Sequence, residues 1–188
     1  MPALALTPGR PADCTGRLEI EVRVYDLLDA LHILYERVDH PAAFTMEACA
    51  EIDRALAPAV ICKNLLLCNA RQSNFYLLML RGDKRFHTRL VSDAVGSSRL
   101  SFAPPEAMQQ YLDITPGSLS VLGLMNDREN HVQLLIDHDI LHEDAFGCHP
   151  CVNTSSLRLS MQDLLHVFLP AVRHAYQPIS LPAEEANP

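Results

Sequence analysis

Two apolar runs, Val60–Cys68 and Phe75–Leu80, lie on either side of the six-residue polar stretch Asn69-Ala70-Arg71-Gln72-Ser73-Asn74. Runs this short and this apolar, separated by turn-forming residues, read as paired strands buried on both faces. A chain that must bury such a pair needs layers of other elements around it. One residue breaks the pattern: Lys63, one of only two lysines in the chain, sits inside the first run. Burying an ammonium in such a strand is costly unless something holds it. Departures of this kind concentrate at functional positions.

The flanking segments supply the layers. Val24, Leu27, Leu28 and Leu31 have the spacing of an amphipathic helix within Val22–Leu31. Ile33–Val38 reads as a short strand leading to His40-Pro41, and Thr45 as the cap of a helix running to about Leu56. Leu100–Ala103 reads as a strand, with Pro104 and Pro105 opening a helix to about Leu112. Leu119–Met125 and His131–Ile136 read as a hairpin across Asn126–Asn130, and Leu157–Leu159 as a further strand. Ser160-Met161-Gln162-Asp163 resembles a capping box for a last helix, with Leu164, Leu165, Phe168, Ala171 and Val172 as its buried stripe and Pro170 as its break. Interleaved strands and helices with several hairpins define an α/β (α+β) single domain with a mixed sheet. Proline-rich, aperiodic ends bound it: a flexible tail over 1–16, a folded unit over 17–177 and a second tail over 178–188.

Composition narrows the class. With 188 residues, 48% of them hydrophobic and 20% charged, the chain is expected to be one soluble globular domain. No apolar stretch approaches the ~20 residues of a membrane span, and the amino terminus lacks the pattern of a signal peptide, so a cytoplasmic location is expected. In that setting the six cysteines are expected to be reduced. The net charge of −8 argues against a surface that coats nucleic acid broadly. A local exception is the segment from Arg81 to Arg99, where Arg81, Lys84, Arg85, Arg89 and Arg99 face only Asp83 and Asp93. Such a segment reads either as a solvated face or as a patch that grips a few phosphates, with Lys84, Arg85 and Arg89 as the contacts.

Three clusters can carry chemistry. Lys63 at a pocket wall can orient an ester or phosphate, or polarise a carbonyl; otherwise its stem lies on apolar surface and its head reaches water. His149, followed by Pro150 and by Asn153-Thr154, reads either as a site or as a turn between strands whose polar groups bond the backbone. Gly117, in Pro116-Gly117-Ser118-Leu119-Ser120, permits a tight turn with main-chain N–H groups facing a ligand. A zinc site of His138, His142, Cys148 and Cys151 is an alternative. Against it, Asp137-His138-Asp139 and Glu143-Asp144 read as an exposed connection, and the spacing matches no known metal motif. A redox C-x-x-C reading is weaker, because a strand pattern follows Cys151.

The order of these clusters is informative. His40-Pro41-Ala42-Ala43-Phe44-Thr45-Met46-Glu47-Ala48, Lys63-Asn64-Leu65-Leu66-Leu67, Leu100-Ser101-Phe102-Ala103, Pro116-Gly117-Ser118-Leu119-Ser120, Asn126-Asp127 and His149-Pro150 with Asn153-Thr154 follow one another along the chain. That set resembles the freestanding prolyl-tRNA editing proteins of the YbaK and prolyl-tRNA-synthetase-associated domain superfamily, from about Val22 to the last helix. The resemblance implies a strongly curved mixed sheet wrapped by helices. It also implies a deacylase that hydrolyses the ester of a mischarged tRNA, with alanyl-tRNA(Pro) as the leading substrate and no metal or other cofactor. Lys63, Gly117 and His149 would be catalytic. Asn64, Ser118, Leu119, Ser120, Val121 and Asn153 would bind substrate. The implied partners are mischarged tRNA and prolyl-tRNA synthetase, with no membrane and with a monomer or homodimer left open. Two departures touch specificity: Val121 stands where the family usually has proline, and Cys148 and Cys151 stand where it usually has apolar residues. Other readings are a deacylase for cysteinyl- or seryl-tRNA and a non-catalytic module that binds tRNA or a synthetase.

Overall fold

The computed structural model describes residues 4–42 and 46–182, less the side chains of Met46 and Ala48. The expected cap Thr45 lies outside the described residues. The chain runs β1 (Thr7–Pro8), α1 (Glu19–Ala30), β2 (Tyr35–Asp39), α2 (Met46–Leu56), β3 (Val60–Cys68) and β4 (Phe75–Arg81). Then come α3 (Thr88–Ala94), β5 (Ser101–Phe102), and α4 (Pro105–Ala107) continued by a π turn (Met108–Leu112). A 3₁₀ segment (Val121–Asn126), β6 (Val132–Asp137), α5 (His138–Leu141), β7 (Ala145–Cys148) and β8 (Ser155–Ser160) follow. The last elements are α6 (Met161–Asp163), a π turn (Leu164–Phe168), α7 (Leu169–Ala171) and β9 (Tyr176–Ile179).

The strands form one mixed sheet in the order β1-β2-β8-β7-β3-β4-β6-β9, with β5 added to β3. The two apolar runs do pair: β3 and β4 are antiparallel from Cys62 opposite Arg81 to Cys68 opposite Phe75. Their two faces are buried in different clusters. Leu66, Leu77 and Met79 join α1, the 3₁₀ segment and the last helical turns in the main core. Leu67, Leu78 and Leu80 pack with Val91, Leu100 and Leu135 on the other side. This double burial is why the runs lack polar alternation.

The other edge of β3 is incompletely paired. β7 takes Val60 and Ile61 in parallel, and β5 takes Leu67 and Cys68. Gly82 donates its N–H to the Ile61 carbonyl on the β4 side, whereas Ala103 donates to the Leu66 carbonyl on the other. Main-chain groups alternate sides along a strand. Those of Cys62 and Asn64 therefore point, like those of Leu66, into the interval between β7 and β5.

Several elements differ from the sequence reading. Leu119–Met125 was expected as a strand, yet Val121–Asn126 is a 3₁₀ turn capped by the Ser120 hydroxyl, which accepts from Leu122 N–H. Close packing explains it: a Cβ on Gly123 would lie 2.5 Å from Ile114 Cδ1. The first segment read as a tail contributes Thr7–Pro8, which pairs with β2, and Arg10, which pairs with Asp26. The second contributes Pro178 and Ile179 to β9, which pairs in parallel with β6. The capping serine Ser160 does accept from Asp163 N–H. Among the described residues no helix is long and apolar enough to cross a membrane.

Candidate active site

The interval beside β3 opens into a cavity of about 830 Å³. Lys63, Asn64, Gly117, Leu119, His149 and Asn153 all line it, although they come from three separate stretches of chain. β3 supplies Lys63 and Asn64 from its open edge. The loop before the 3₁₀ segment supplies Gly117 and Leu119, and the turn between β7 and β8 supplies His149 and Asn153. Phe102, from the ordered set of motifs, is a further wall, as are Cys62, Met108, Arg81, Asp83 and Glu143, which the sequence did not single out as site residues. Cys62 belongs to an apolar run and Arg81 and Asp83 to the basic segment, but none of these five carries a sequence signal of its own.

Lys63 is not sealed in the strand. The residue is exposed, and its Nζ donates to the Lys84 carbonyl at 3.0 Å. One carbonyl fixes the ammonium and leaves two of its three donors for a ligand. Asn64 lies next to it with a buried Oδ1 that has no hydrogen-bond partner among the described residues. An orphaned acceptor of this kind is costly without a ligand or water. Gly117 has φ +91°, the left-handed region, and a Cβ there would sit 3.7 Å from Asn153 Nδ2. The backbone conformation, more than the space, calls for glycine.

His149 is half-buried, and its Nδ1 lies 2.9 Å from the Ser155 carbonyl. A carbonyl only accepts, so Nδ1 carries the proton and Nε2 is the basic nitrogen. Burial pushes the His149 pKa below its ordinary value; the Ser155 bond opposes this and the nearby His40 adds to it. The imidazole is therefore neutral near pH 7 and suited to accept a proton. Cys148 also lines the cavity, and burial first, then Cys151 and Cys62, raises its thiol pKa well above the usual range. Such a thiol is a wall, not a nucleophile.

Three expected substrate-binding residues do not reach this cavity. Ser118 is buried and faces a neighbouring cleft of about 540 Å³ that also touches Asn153. Ser120 and Val121 are fully buried, the first as the 3₁₀ cap and the second in the main core. Cys151 likewise faces the neighbouring cleft.

The basic segment also needs correction. Lys84 was expected to meet phosphate, but its side chain is only 6% exposed and its Nζ lies 2.7 Å from Asp137 and 2.8 Å from Asp139. It also donates to the Leu181 carbonyl at 2.7 Å. Arg81 is paired with Asp83 and Glu143 at the cavity wall. Arg85 and Arg89 are exposed, and among the described residues Arg89 makes a 3.8 Å contact with Asp93. The ring of His138, on α5, meets that of His142, just past the end of the helix, edge-on with centroids 4.8 Å apart. Among the described residues no group of three or more His, Cys, Asp or Glu is placed to hold a metal, so the zinc alternative is not assembled.

The open central edge of a curled mixed sheet thus meets a lysine, a glycine loop and a histidine in one cavity. Residues 40–167 match the model of the aminoacyl-tRNA editing domain family. The chain belongs to that family, a family of deacylase-type hydrolases. It is 31% identical over 137 residues, 73% of this chain and 83% of the relative, to the prolyl-tRNA editing protein ProX of Acetoanaerobium sticklandii. It is 32% identical over 163 residues to the mouse (Mus musculus) prolyl-tRNA synthetase associated domain-containing protein 1, covering 84% of this chain and 92% of that one. A crystal structure described as a candidate trans-editing enzyme for prolyl tRNA synthetase superposes with a TM-score of 0.64 at 19% identity. That match covers 89% of this chain and 99% of the other, which establishes the fold.

Proposed function

We propose that the protein is a trans-editing hydrolase that removes alanine from mischarged tRNA(Pro). The observation that carries the reading is convergence: five residues nominated from separate motifs, Lys63, Asn64, Gly117, His149 and Asn153, border one cavity. Kinship with proteins named for prolyl-tRNA editing supports the tRNA. Chemistry supports the amino acid. A synthetase pocket shaped for proline cannot strongly reject a smaller side chain, so a second, smaller sieve is needed.

In this reading the acylated 3′ end enters beside the open edge of β3. Lys63, held by one carbonyl, keeps two donors for the substrate's terminal oxygens. Main-chain N–H groups of the loop at Gly117 stabilise the developing oxyanion. His149 Nε2 takes the proton of the attacking water and returns it to the departing ribose oxygen. Asn64 Oδ1 gains the donor that it lacks. Arg85 and Arg89 approach the phosphates of the acceptor end, the protein works in the cytoplasm, and prolyl-tRNA synthetase is the natural source of its substrate.

The test is deacylation of alanyl-, cysteinyl-, seryl- and prolyl-tRNA(Pro) by wild type and Lys63→Ala. Loss of alanine alone, abolished by the substitution, is expected. Hydrolysis of cysteinyl- or seryl-tRNA instead would move the specificity and keep the chemistry. A folded protein inert towards all four would leave a tRNA- or synthetase-binding module.

A further inference from the structure

His149 is the inner end of a chain of three side chains, of which the other two are buried. Its Nδ1 lies 3.4 Å from Ser156 Oγ, besides the Ser155 carbonyl. Ser156 Oγ lies 2.9 Å from His40 Nε2, and His40 Nδ1 lies 2.9 Å from the Pro41 carbonyl. The two rings are 6.3 Å apart. Ser156 is 3% exposed and His40 7%.

The proton positions follow from the two carbonyls at the ends. Pro41 O only accepts, so His40 carries its proton on Nδ1 and its Nε2 is an acceptor. Ser156 must then donate its hydroxyl to His40. That leaves an oxygen lone pair directed at the Nδ1–H of His149. Every donor in the chain points away from the cavity, and the sense cannot reverse without leaving a carbonyl facing a bare nitrogen. His40 does not border the cavity; it lines a separate cleft of about 450 Å³ on the far side, with Arg17, Glu21 and Asp39.

We propose that Ser156 and His40 are positioning residues for the reaction: they hold His149 in the Nδ1–H form, with Nε2 presented to the ester, and they stabilise the imidazolium that forms. The inference rests on the deacylase reading above. Water adds to the acyl carbon while its proton passes to His149 Nε2. The bond from the acyl carbon to the ribose oxygen then breaks, and that oxygen takes the proton back. Throughout, His149 Nδ1 keeps its own proton, shared between the Ser155 carbonyl and Ser156 Oγ. The positive charge is met by an aligned oxygen whose hydroxyl is already committed to His40. Without His40 the hydroxyl is free to turn and donate to Nδ1, which favours the wrong tautomer.

The experiment compares wild type, Ser156→Ala, Ser156→Thr, His40→Phe and the double variant Ser156→Ala/His40→Phe. It measures kcat and KM on alanyl-tRNA(Pro), with long-range proton–nitrogen NMR of the histidines. Ser156→Ala keeps the Ser155 carbonyl bond, so the ring stays in place. A fall in kcat of roughly tenfold with KM unchanged is expected, a fraction of the ~10²–10⁴ that general acid–base catalysis supplies. Ser156→Thr restores kcat because it restores the hydroxyl. The double variant is no slower than either single one, since members of one chain are not additive. NMR shows both wild-type rings protonated on Nδ1. An active wild type with Ser156→Ala within twofold of it, additive losses, or His149 protonated on Nε2 would each overturn the proposal and leave the deacylase reading standing. An inert wild type with both tautomers as described would remove that reading, and the catalytic use of the chain with it.

Discussion

Replacing Lys84 by methionine keeps most of the stem and removes the charge. In the folded protein that ammonium sits 2.7 Å from Asp137, whose side chain is 0% exposed. Neither Asp137 oxygen has an aligned hydrogen-bond donor among the described residues, so the ion pair is its compensation. Breaking a buried pair from one side costs about 3–5 kcal/mol, because the surviving charge is stranded. At about 2–4 °C per kcal/mol for a domain of this size, the midpoint of thermal unfolding should fall by roughly 6–20 °C. Changing both partners, Lys84→Met with Asp137→Leu, should recover most of the loss. Burial alone would lower the Lys84 pKa, but Asp137 and Asp139 outweigh it and the net shift is upward. A raised folded-state pKa means that this stabilisation is complete below the unfolded value of 10.5 and disappears as pH rises through the folded one. On the alkaline side, the gap between wild type and Lys84→Met should therefore narrow only in strong alkali. Differential scanning calorimetry across pH, with tRNA binding across a salt series, reads both aspects. A change below 1 kcal/mol together with a flatter salt dependence would refute the argument, since that is how an exposed phosphate-binding lysine behaves.

Other perturbations separate surface, loop and wall. Arg89→Ala, at a side chain 92% exposed, should leave the melting temperature unchanged while weakening tRNA binding and lowering its salt slope by about one. Gly117→Ala has space for its methyl but must adopt φ +91°, so it should lose about 1–2 kcal/mol in denaturant titrations, with a larger loss of kcat. Gly147→Ala places a Cβ 2.7 Å from Ile61 Cδ1 and 3.2 Å from Leu56 Cδ1. Those flexible ends must shift at the cavity wall, and a destabilisation of about 1–3 kcal/mol is expected in the same titration. His149 has a depressed pKa, so its contribution is intact above its unfolded value of 6.5 and is lost as pH falls through the folded one. The acid limb of kcat should consequently lie below pH 6.5, and a limb above it would contradict the neutral imidazole.

Much of this architecture was legible in the sequence, for identifiable reasons. β3 and β4 announce themselves because both faces are largely buried, so runs of nine and seven residues turn almost uniformly apolar. The same uniformity misled at Val121–Asn126, where the buried run Val121–Leu124 has no period to betray a 3₁₀ turn. β7 is four residues long and contains Gly147, and β9 contains Pro178; neither shows a strand's signature until partners are in place. Lys63, Asn64, Gly117, His149 and Asn153 were found because each breaks a local pattern or belongs to a recognisable ordered set. Lys84 was misjudged because a run of charges shows sign but not depth. The acids that bury it, Asp137 and Asp139, lie more than fifty residues further on. Ser156 escaped notice for a similar reason: a serine in a strand gives no hint that two histidines converge on it.

The unpaired interval of β3 has a wider consequence. Sheets ordinarily treat a bare edge as a hazard and cover it. Here the bare stretch is short, walled at one end by β7 and at the other by β5. Amides and carbonyls in that notch are set by the backbone alone and do not change when side chains do. Mutation can therefore reshape the walls, through Cys62, Cys148, Leu119 or Met108, and in the proposed deacylase this would alter which acyl group is admitted, while the main-chain groups of the notch stay where they are. A scaffold with that division of labour can drift between related substrates without passing through an inactive ancestor.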